Sequence, residues 1–280
     1  MIKIENFSFQ GINGAYSELA GKNIFPEADS LACATFEEMF QTVREGKANV
    51  AIVPIENSQA GRVADTQRLI PDSDLKIVKE YFLEVKHNLL VVPGTKMSDI
   101  KRIYSHEQGI AQCRKKIIEL NKEMIIVADT AGAAKKITEL NSKEDAAVAS
   151  ELASKIYNLE ILESNFQDSS TNVTRFLVMA SKMNPPDPND DNLITTLVFK
   201  VRSIPASLYK CLGGFASNGV NITKLESYVH PQGFDVAQFY IDFEGHPEQT
   251  FVKLALEEMK FFCKHMNILG VYKKSEFRKK

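Results

Sequence analysis

Four groups of polar side chains stand where apolar runs of this chain begin or end, and they offer amides, hydroxyls, carboxylates and one guanidinium. Glu56, Asn57 and Ser58 follow "VAIVPI"; Ser105, Gln108 and Gln112 follow "RIY"; Asp129 and Thr130 follow "MIIVA"; Asn172, Thr174 and Arg175 lead into "FLVMA". Amides and hydroxyls orient a ligand through directional hydrogen bonds, while an arginine or a helix N-terminus holds a carboxylate. In open α/β sheets such groups collect ligands beyond the carboxyl ends of strands. Each group also has a local use. Ser105 with Gln108 reads as a capping box, Thr130 as a cap, and Thr174 as an ordinary strand residue. Arg175, beside Phe176 and Leu177, needs an anionic partner, which either Glu56 or a ligand supplies.

What the sequence lacks narrows the chemistry further. It contains no paired His/Cys ligands, no glycine-rich phosphate loop, no G-x-S-x-G elbow and no Cys/His dyad signature. Of the five histidines only His106 falls within a group, and it reads as structural. The residues therefore suit a small organic acid, bound or transformed without metal or cofactor.

Two kinds of segment must position these groups. Up to about residue 180, short apolar runs ("NFSFQ", "VAIVP", "NLLVV", "RIYSH", "MIIVA", "AAVAS", "RFLVMA") alternate with helix-period stretches. "TFEEMFQTVREG" carries a Thr35/Glu38 capping box and a Gly46 stop; "SHEQGIAQCRKKIIELN" presents Ile110, Cys113, Ile117 and Leu120 on one face; "DTAGAAKKITEL" starts at Asp129 or Thr130. The alternation predicts a mostly parallel α/β sheet. "LKIVKEYFLEVKHNLLVV" alternates polar and apolar instead, and predicts extended chain crossing between two sub-lobes. The segment 181–192, "SKMNPPDPNDDN", reads as a stiff exposed linker. Beyond it the order is strand "LITTLVFKVR", a helix opened by Pro205 and stopped by Gly219, strands "VNITKLESYV" and "FDVAQFYIDF" joined by "HPQG", a helix from Pro247 through Lys264, and strand "NILGVY". That order is βαββαβ, the ferredoxin-like split arrangement. The expected domains are thus 1–180, a linker 181–192, and 193–280.

Composition sets outer limits. With 44% hydrophobic and 25% charged residues the chain is an ordinary globular protein, and a net charge of −2 points to neither nucleic acid nor membrane as partner. The N-terminus lacks the build of a signal peptide, no apolar run reaches spanning length, and Cys33, Cys113, Cys211 and Cys263 are widely spaced. A cytoplasmic location with buried or free thiols is expected.

Five motifs occur in order: "FQGINGAYSELA" (9–20), "VPIENSQAG" (53–61), "SHEQGIAQC" (105–113), "DTAGAA" (129–134) and "TRF" (174–176). Together they resemble prephenate dehydratase, the family that makes phenylpyruvate in phenylalanine biosynthesis. "IPASLYKCLGGFASNGVNITKLESY" (204–228) resembles an ACT domain, the amino-acid-sensing module such enzymes carry. The resemblance implies a two-lobed, periplasmic-binding-protein-like catalytic domain with prephenate between the lobes, then a ferredoxin-like ACT domain, in the monofunctional form. It implies catalytic or binding roles for Asn57, Ser105, Gln112 and Thr174, with Glu56, Ser58, Thr130, Arg175 and Phe176 against the substrate, and Ser58 capping the next helix. It implies phenylalanine as an effector near Leu208, Asn221, Glu226 and Ser227, and a homodimer or homotetramer. Two stretches depart from the family: Ala206-Ser207-Leu208 stands where G-A-L is usual, and Glu226-Ser227-Tyr228-Val229 where E-S-R-P is usual. Arogenate dehydratase and a non-enzymatic amino-acid sensor are the alternative readings.

Overall fold

Apolar runs rich in Val, Ile and Phe become the strands, and the helix-period stretches between them cover the sheet faces. The computed structural model describes residues 3–182, 184–230 and 233–279. The first lobe runs β1 (Asn6–Gln10), α1 (Tyr16–Ile24), β2 (Asp29–Cys33), α2 (Phe36–Arg44), β3 (Val50–Asn57), β4 (Gly61–Arg62), α3 (Ala64–Leu69) and β5 (Lys76–Glu84). The second lobe holds β6 (Asn88–Val91), β7 (Arg102–Ser105), α4 (Glu107–Gln112), α5 (Arg114–Glu119), β8 (Glu123–Ile126), α6 (Thr130–Leu140), β9 (Asp145–Ala149), α7 (Glu151–Ile156) and β10 (Glu160–Glu163). The chain then returns to the first lobe as β11 (Val173–Ala180). The alternating segment expected to cross between lobes does so, as β5 in one sheet and β6 in the other.

Both sheets are mixed rather than mostly parallel. The second-lobe sheet has the order β10-β6-β9-β7-β8, and the larger sheet passes through β5-β11-β3-β1-β2. The reason is the double crossing: β5 leaves the first lobe and β11 re-enters it, so the two lie side by side in opposite directions.

After Ala180 the next element is β12 (Leu193–Val201), followed by α8 (Ser207–Ser217), β13 (Ile222–His230), β14 (Gly233–Glu244), α9 (Thr250–Phe262) and β15 (Cys263–Lys273). This is the expected βαββαβ order. Pro231 and Gln232 of the "HPQG" turn lie outside the described residues. The helices begin later than the prolines suggested, at Ser207 and Thr250. Ala206, which precedes α8, sits at φ 60°, a left-handed conformation that glycine adopts without steric cost. The resemblance leads one to expect a glycine at this position, and Ala206 takes the same left-handed conformation at a steric cost.

Both faces of this last unit are covered. Helices α8 and α9 pack Cys211, Phe215, Val252 and Met259 onto one face of its sheet. The other face joins the first lobe's core, where Ile194, Val198, Tyr240 and Tyr272 meet Met39, Phe40 and Ile55. The sheets are continuous as well, since β15 pairs with β5 at Gly270 and Ile77. Only glycine fits there: a Cβ on Gly270 would fall 2.2 Å from the Ile77 carbonyl oxygen. All four cysteines are buried and free. Among the described residues no helix is long and apolar enough to cross a membrane.

Candidate active site

Strands β3 and β11 run antiparallel with Asn57 opposite Thr174 and Glu56 opposite Arg175. Side chains alternate along strands, so one pair faces the space between the lobes and the other faces away. On the inter-lobe side the Asn57 side chain is held by its own turn, its Oδ1 accepting from the backbone N–H groups of Gln59 and Ala60, both at 2.9 Å. Asn57 Nδ2 then donates to Thr174 Oγ1 (2.9 Å) and Asn172 Oδ1 (2.8 Å). Asn172 Nδ2 donates to Gln112 Oε1 (2.8 Å), which also meets His87 Nε2 (2.7 Å), and His87 Nδ1 meets the Tyr16 hydroxyl (2.7 Å). Asn57, Thr174 and Gln112 are thus joined across the lobes by an unbroken polar chain. Burial lowers the His87 pKa, against the opposing hydrogen bond to Gln112, so the ring is held neutral. Beside this chain, Gln59, Ala60, Gln108, Ala111, Gln112, Asp168 and Ser169 line a pocket of about 390 Å³.

The second lobe contributes a separate cluster at the carboxyl end of β7. Ser105 is fully buried, and its Oγ donates to the Val148 carbonyl at 2.8 Å. It therefore does not cap α4; the His106 side chain does, accepting from Gln108 N–H at 3.2 Å. The predicted long helix is broken at Cys113 into α4 and α5. Gly109 brings Ser105 and Thr130 together, since a Cβ there would lie 2.4 Å from Ser105 Oγ and 3.5 Å from Thr130 Cγ2. Thr130 opens α6, which Asp129 caps by accepting from Gly132 N–H at 2.6 Å. Such a cap is worth about 1 kcal/mol. The helix leaves its positive end near Ser105. Gly14 closes the lobes: its carbonyl accepts from Ser150 Oγ at 2.6 Å, and at φ 95° a Cβ would strike Ala153 at 3.0 Å.

Glu56 and Arg175 face the other way, into an ionic hub between the first lobe and the C-terminal unit. Arg175 is 1% exposed. It reaches Glu56 (3.0 Å), Glu80 (2.9 Å), Asp242 (2.6 Å) and the Tyr272 hydroxyl (3.0 Å). Arg278 binds Glu80 from the chain end at 2.8 Å, and Lys224 pairs with both Glu56 and Glu226. Burial opposes the charge on Arg175, but Asp242 and its other partners outweigh it and raise the pKa well above the ordinary value. For Glu56, burial raises the carboxyl pKa, and Arg175 with Lys224 more than reverses this. The question of which anion meets Arg175 is answered by three protein carboxylates.

Arg175 is therefore spent inside the protein rather than on a ligand. Phe176 is likewise 1% exposed, in the core with Phe7, Phe9 and Val178. Glu56 serves the hub. Ser58 caps no helix, since α3 begins at Ala64; its Oγ donates to the Thr171 carbonyl (2.8 Å) and accepts from Val173 N–H (3.0 Å), pinning the approach to β11. Asn172 belongs to the fourth group of polar side chains, whereas the chemistry-bearing groups of the sequence omit His87 and Tyr16; Tyr16 lies inside the motif at 9–20, and His87 stands in a strand crossing with no local signal. The C-terminal four are divided between two places. Glu226 and Ser227 meet the first lobe, through Gln67 Nε2 (2.5 Å) and Arg62 Nη1 (3.0 Å) respectively. Asn221 donates to Glu244 at 3.2 Å, and Leu208, in the first turn of α8, packs against the core of the C-terminal unit.

Two α/β lobes meet at a cleft of amides and hydroxyls and are joined to a βαββαβ unit, the architecture of a two-lobed α/β protein with a ferredoxin-like C-terminal unit. The family model for prephenate dehydratase matches residues 7–184, and the chain belongs to that family. It is 44% identical over 273 residues to a bifunctional N-acyl-homoserine lactone acylase/prephenate dehydratase of Komagataeibacter europaeus, covering 98% of this chain and 97% of the relative. It is 37% identical to an arogenate dehydratase/prephenate dehydratase of Arabidopsis thaliana, covering 95% of this chain and 72% of that one. The crystal structure of prephenate dehydratase from Arthrobacter aurescens in complex with L-Phe superposes with a TM-score of 0.87 at 29% identity, covering 96% of this chain and 90% of that one.

Proposed function

We propose that the chain converts prephenate to phenylpyruvate, with residues 1–180 catalytic, 181–192 a linker and 193–280 an ACT regulatory domain. The observation that carries this reading is the state of Thr174. Its Oγ1 already accepts from Asn57 Nδ2 at 2.9 Å, and among the described residues its own proton meets no acceptor. A hydroxyl fixed in this way keeps its own proton for donation to a ligand. In the reaction the bond to the ring carboxylate breaks and releases CO2, its electron pair enters the ring, and the ring C–O bond breaks as hydroxide leaves. Aromatisation drives the step, so the protein needs only to hold a dianion and stabilise the departing oxygen. A preorganised donor supplies that stabilisation. The α6 N-terminus and the free amide end of Gln112 are suited to the substrate's oxygens and Thr130 to its orientation, while Ser105, fully buried on the Val148 carbonyl, braces the end of β7 beside them.

The direct test is turnover by the purified protein, following phenylpyruvate from prephenate and phenylalanine from arogenate side by side. Higher kcat/KM on prephenate supports the reading; preference for arogenate replaces it with the amino analogue; binding of either without turnover would make the chain a sensor. An N-acyl-homoserine lactone arm in the same assay addresses the second activity named for the Komagataeibacter relative. Protein treated with EDTA is expected to keep its prephenate activity, and activity restored only by an added metal would overturn the cofactor-free mechanism.

The C-terminal unit also supports assembly and feedback. Strand β13 ends the larger sheet and leaves an edge to pair, the kind of surface that forms isologous dimers. Sedimentation at micromolar concentration should give a dimer or tetramer, and phenylalanine should bind and lower activity. A strict monomer, or calorimetry without heat and kinetics without change on adding phenylalanine, counts against this part.

A further inference from the structure

The orientation of every group in the inter-lobe chain follows from one fixed end. Backbone N–H groups only donate, so the Asn57 atom that Gln59 and Ala60 reach must be its oxygen. Asn57 therefore turns Nδ2 toward Thr174 and Asn172. Asn172, accepting on Oδ1, turns its own Nδ2 toward Gln112, whose oxygen faces both Asn172 and His87. A carbonyl oxygen needs a donor, so the neutral His87 ring carries its proton on Nε2. Nδ1 is then bare and accepts from the Tyr16 hydroxyl at 2.7 Å. A flipped Gln112 amide would set NH2 against the Asn172 NH2, whose orientation Asn57 fixes, and would require the His87 proton to move to Nδ1, where it would face the Tyr16 hydroxyl.

We propose that His87, held by Tyr16 as the Nε2–H tautomer, is a positioning residue for the cleft, fixing which end of the Gln112 carboxamide faces the inter-lobe pocket. This rests on the dehydratase reading of that pocket. With both Gln112 acceptor directions taken by His87 and Asn172, the amide N–H groups are what the residue presents to a ligand, and two donors suit an anionic substrate. The same arrangement ties Gln112 to lobe closure. Tyr16 belongs to α1 of the first lobe and Gln112 to α4 of the second, while His87 sits in the crossing between β5 and β6. His87 is only 2% exposed, and its ring lies edge-on to Tyr16 with centroids 5.5 Å apart. The crossing is itself clamped to the return segment, since Phe166 N–H donates to the His87 carbonyl at 2.7 Å and His87 N–H to Gln167 Oε1 at 2.9 Å. Withdrawal of α1 from this crossing would remove the donor to Nδ1, one of the two partners that set the tautomer facing Gln112.

The test compares His87→Leu, which keeps bulk and removes both ring nitrogens, with His87→Gln, which restores an N–H near the Nε2 position. In the Gln variant the Tyr16 hydroxyl keeps an acceptor, because the Lys86 carbonyl lies 3.0 Å away. Kinetics on prephenate, melting temperatures and imidazole 15N shifts of the ligand-free wild type are the readouts. The shifts should show protonated Nε2 and bare Nδ1 at neutral pH. His87→Leu should lower kcat/KM about 10-fold or more, the scale of a misplaced binding group, with His87→Gln recovering to within a few-fold. On a Gln112→Ala background, His87→Leu should add little. A protonated Nδ1, equal impairment of the Leu and Gln variants, or losses that multiply in the double variant would each overturn the proposal. Wild-type turnover of prephenate tests the dehydratase reading separately, and the ring-nitrogen shifts decide the tautomer in either case.

Discussion

Thr174→Ala is expected to lower kcat on prephenate by about 10²-fold or more, the scale of losing one oriented donor to developing negative charge. Thr174→Ser should retain much of the activity. The two substitutions separate the hydroxyl from the methyl group. Thr174 is only partly buried at the start of β11, and its hydroxyl accepts one hydrogen bond, from Asn57. Alanine therefore leaves a single Asn57 N–H without its partner, while the second N–H of the same amide keeps its bond to Asn172 at 2.8 Å. Little stability should be lost, so a change in melting temperature cannot account for the rate. Serine keeps the oxygen in place but frees its rotamer, since it lacks the branch that stiffens χ1. A modest loss is expected from that freedom alone. Equal impairment of both variants would shift the role to methyl packing and remove Thr174 as the donor to the leaving hydroxide.

Arg175→Met should leave a protein that binds substrate but melts far lower. Glu80 and Asp242 are completely buried against this guanidinium, and Arg278 reaches Asp242 only at 3.7 Å. Removing one partner of a buried ion pair costs about 3–5 kcal/mol, because the surviving charge stays desolvated. For a chain of this size that is a fall in Tm of order 10 °C. Arg175→Lys keeps the charge but not the planar fork, which here spans Glu56, Glu80, Asp242 and Tyr272. It should fall between wild type and Met in Tm, with KM close to wild type when measured well below the transition. A KM raised tenfold at unchanged Tm would return Arg175 to the substrate. Because the hub joins β3, β5 and β11 to β13, β14 and β15, the Met variant should also weaken any response of the cleft to phenylalanine.

Much of the architecture was legible in the sequence because it depends on local periods. Short apolar runs marked the strands, the Thr35 cap and Gly46 stop bounded α2, and the alternation of "LKIVKEYFLEVKHNLLVV" marked the crossing between lobes. Period two also required Thr174 and Arg175 to face opposite sides. Which side was the cleft could not be read, because that depends on what packs against β11 from distant parts of the chain. Glu80 and Asp242 lie 95 and 67 residues from Arg175, and both leave no room for a ligand there. The same limit hid His87. Its partners come from α1 and α4, 71 and 25 residues away, and nothing in its neighbours distinguishes it from an ordinary strand residue. Ser105 and Ser58 failed as helix caps for a related reason: a hydroxyl at a strand end has several acceptors in reach, and only the folded chain placed the carbonyls of Val148 and Thr171 nearest. Types and spacings determined the elements and the list of groups able to do chemistry. The tertiary structure decided which of them share a face, since a hydrogen bond is made by separation in space and a sequence records only separation along the chain.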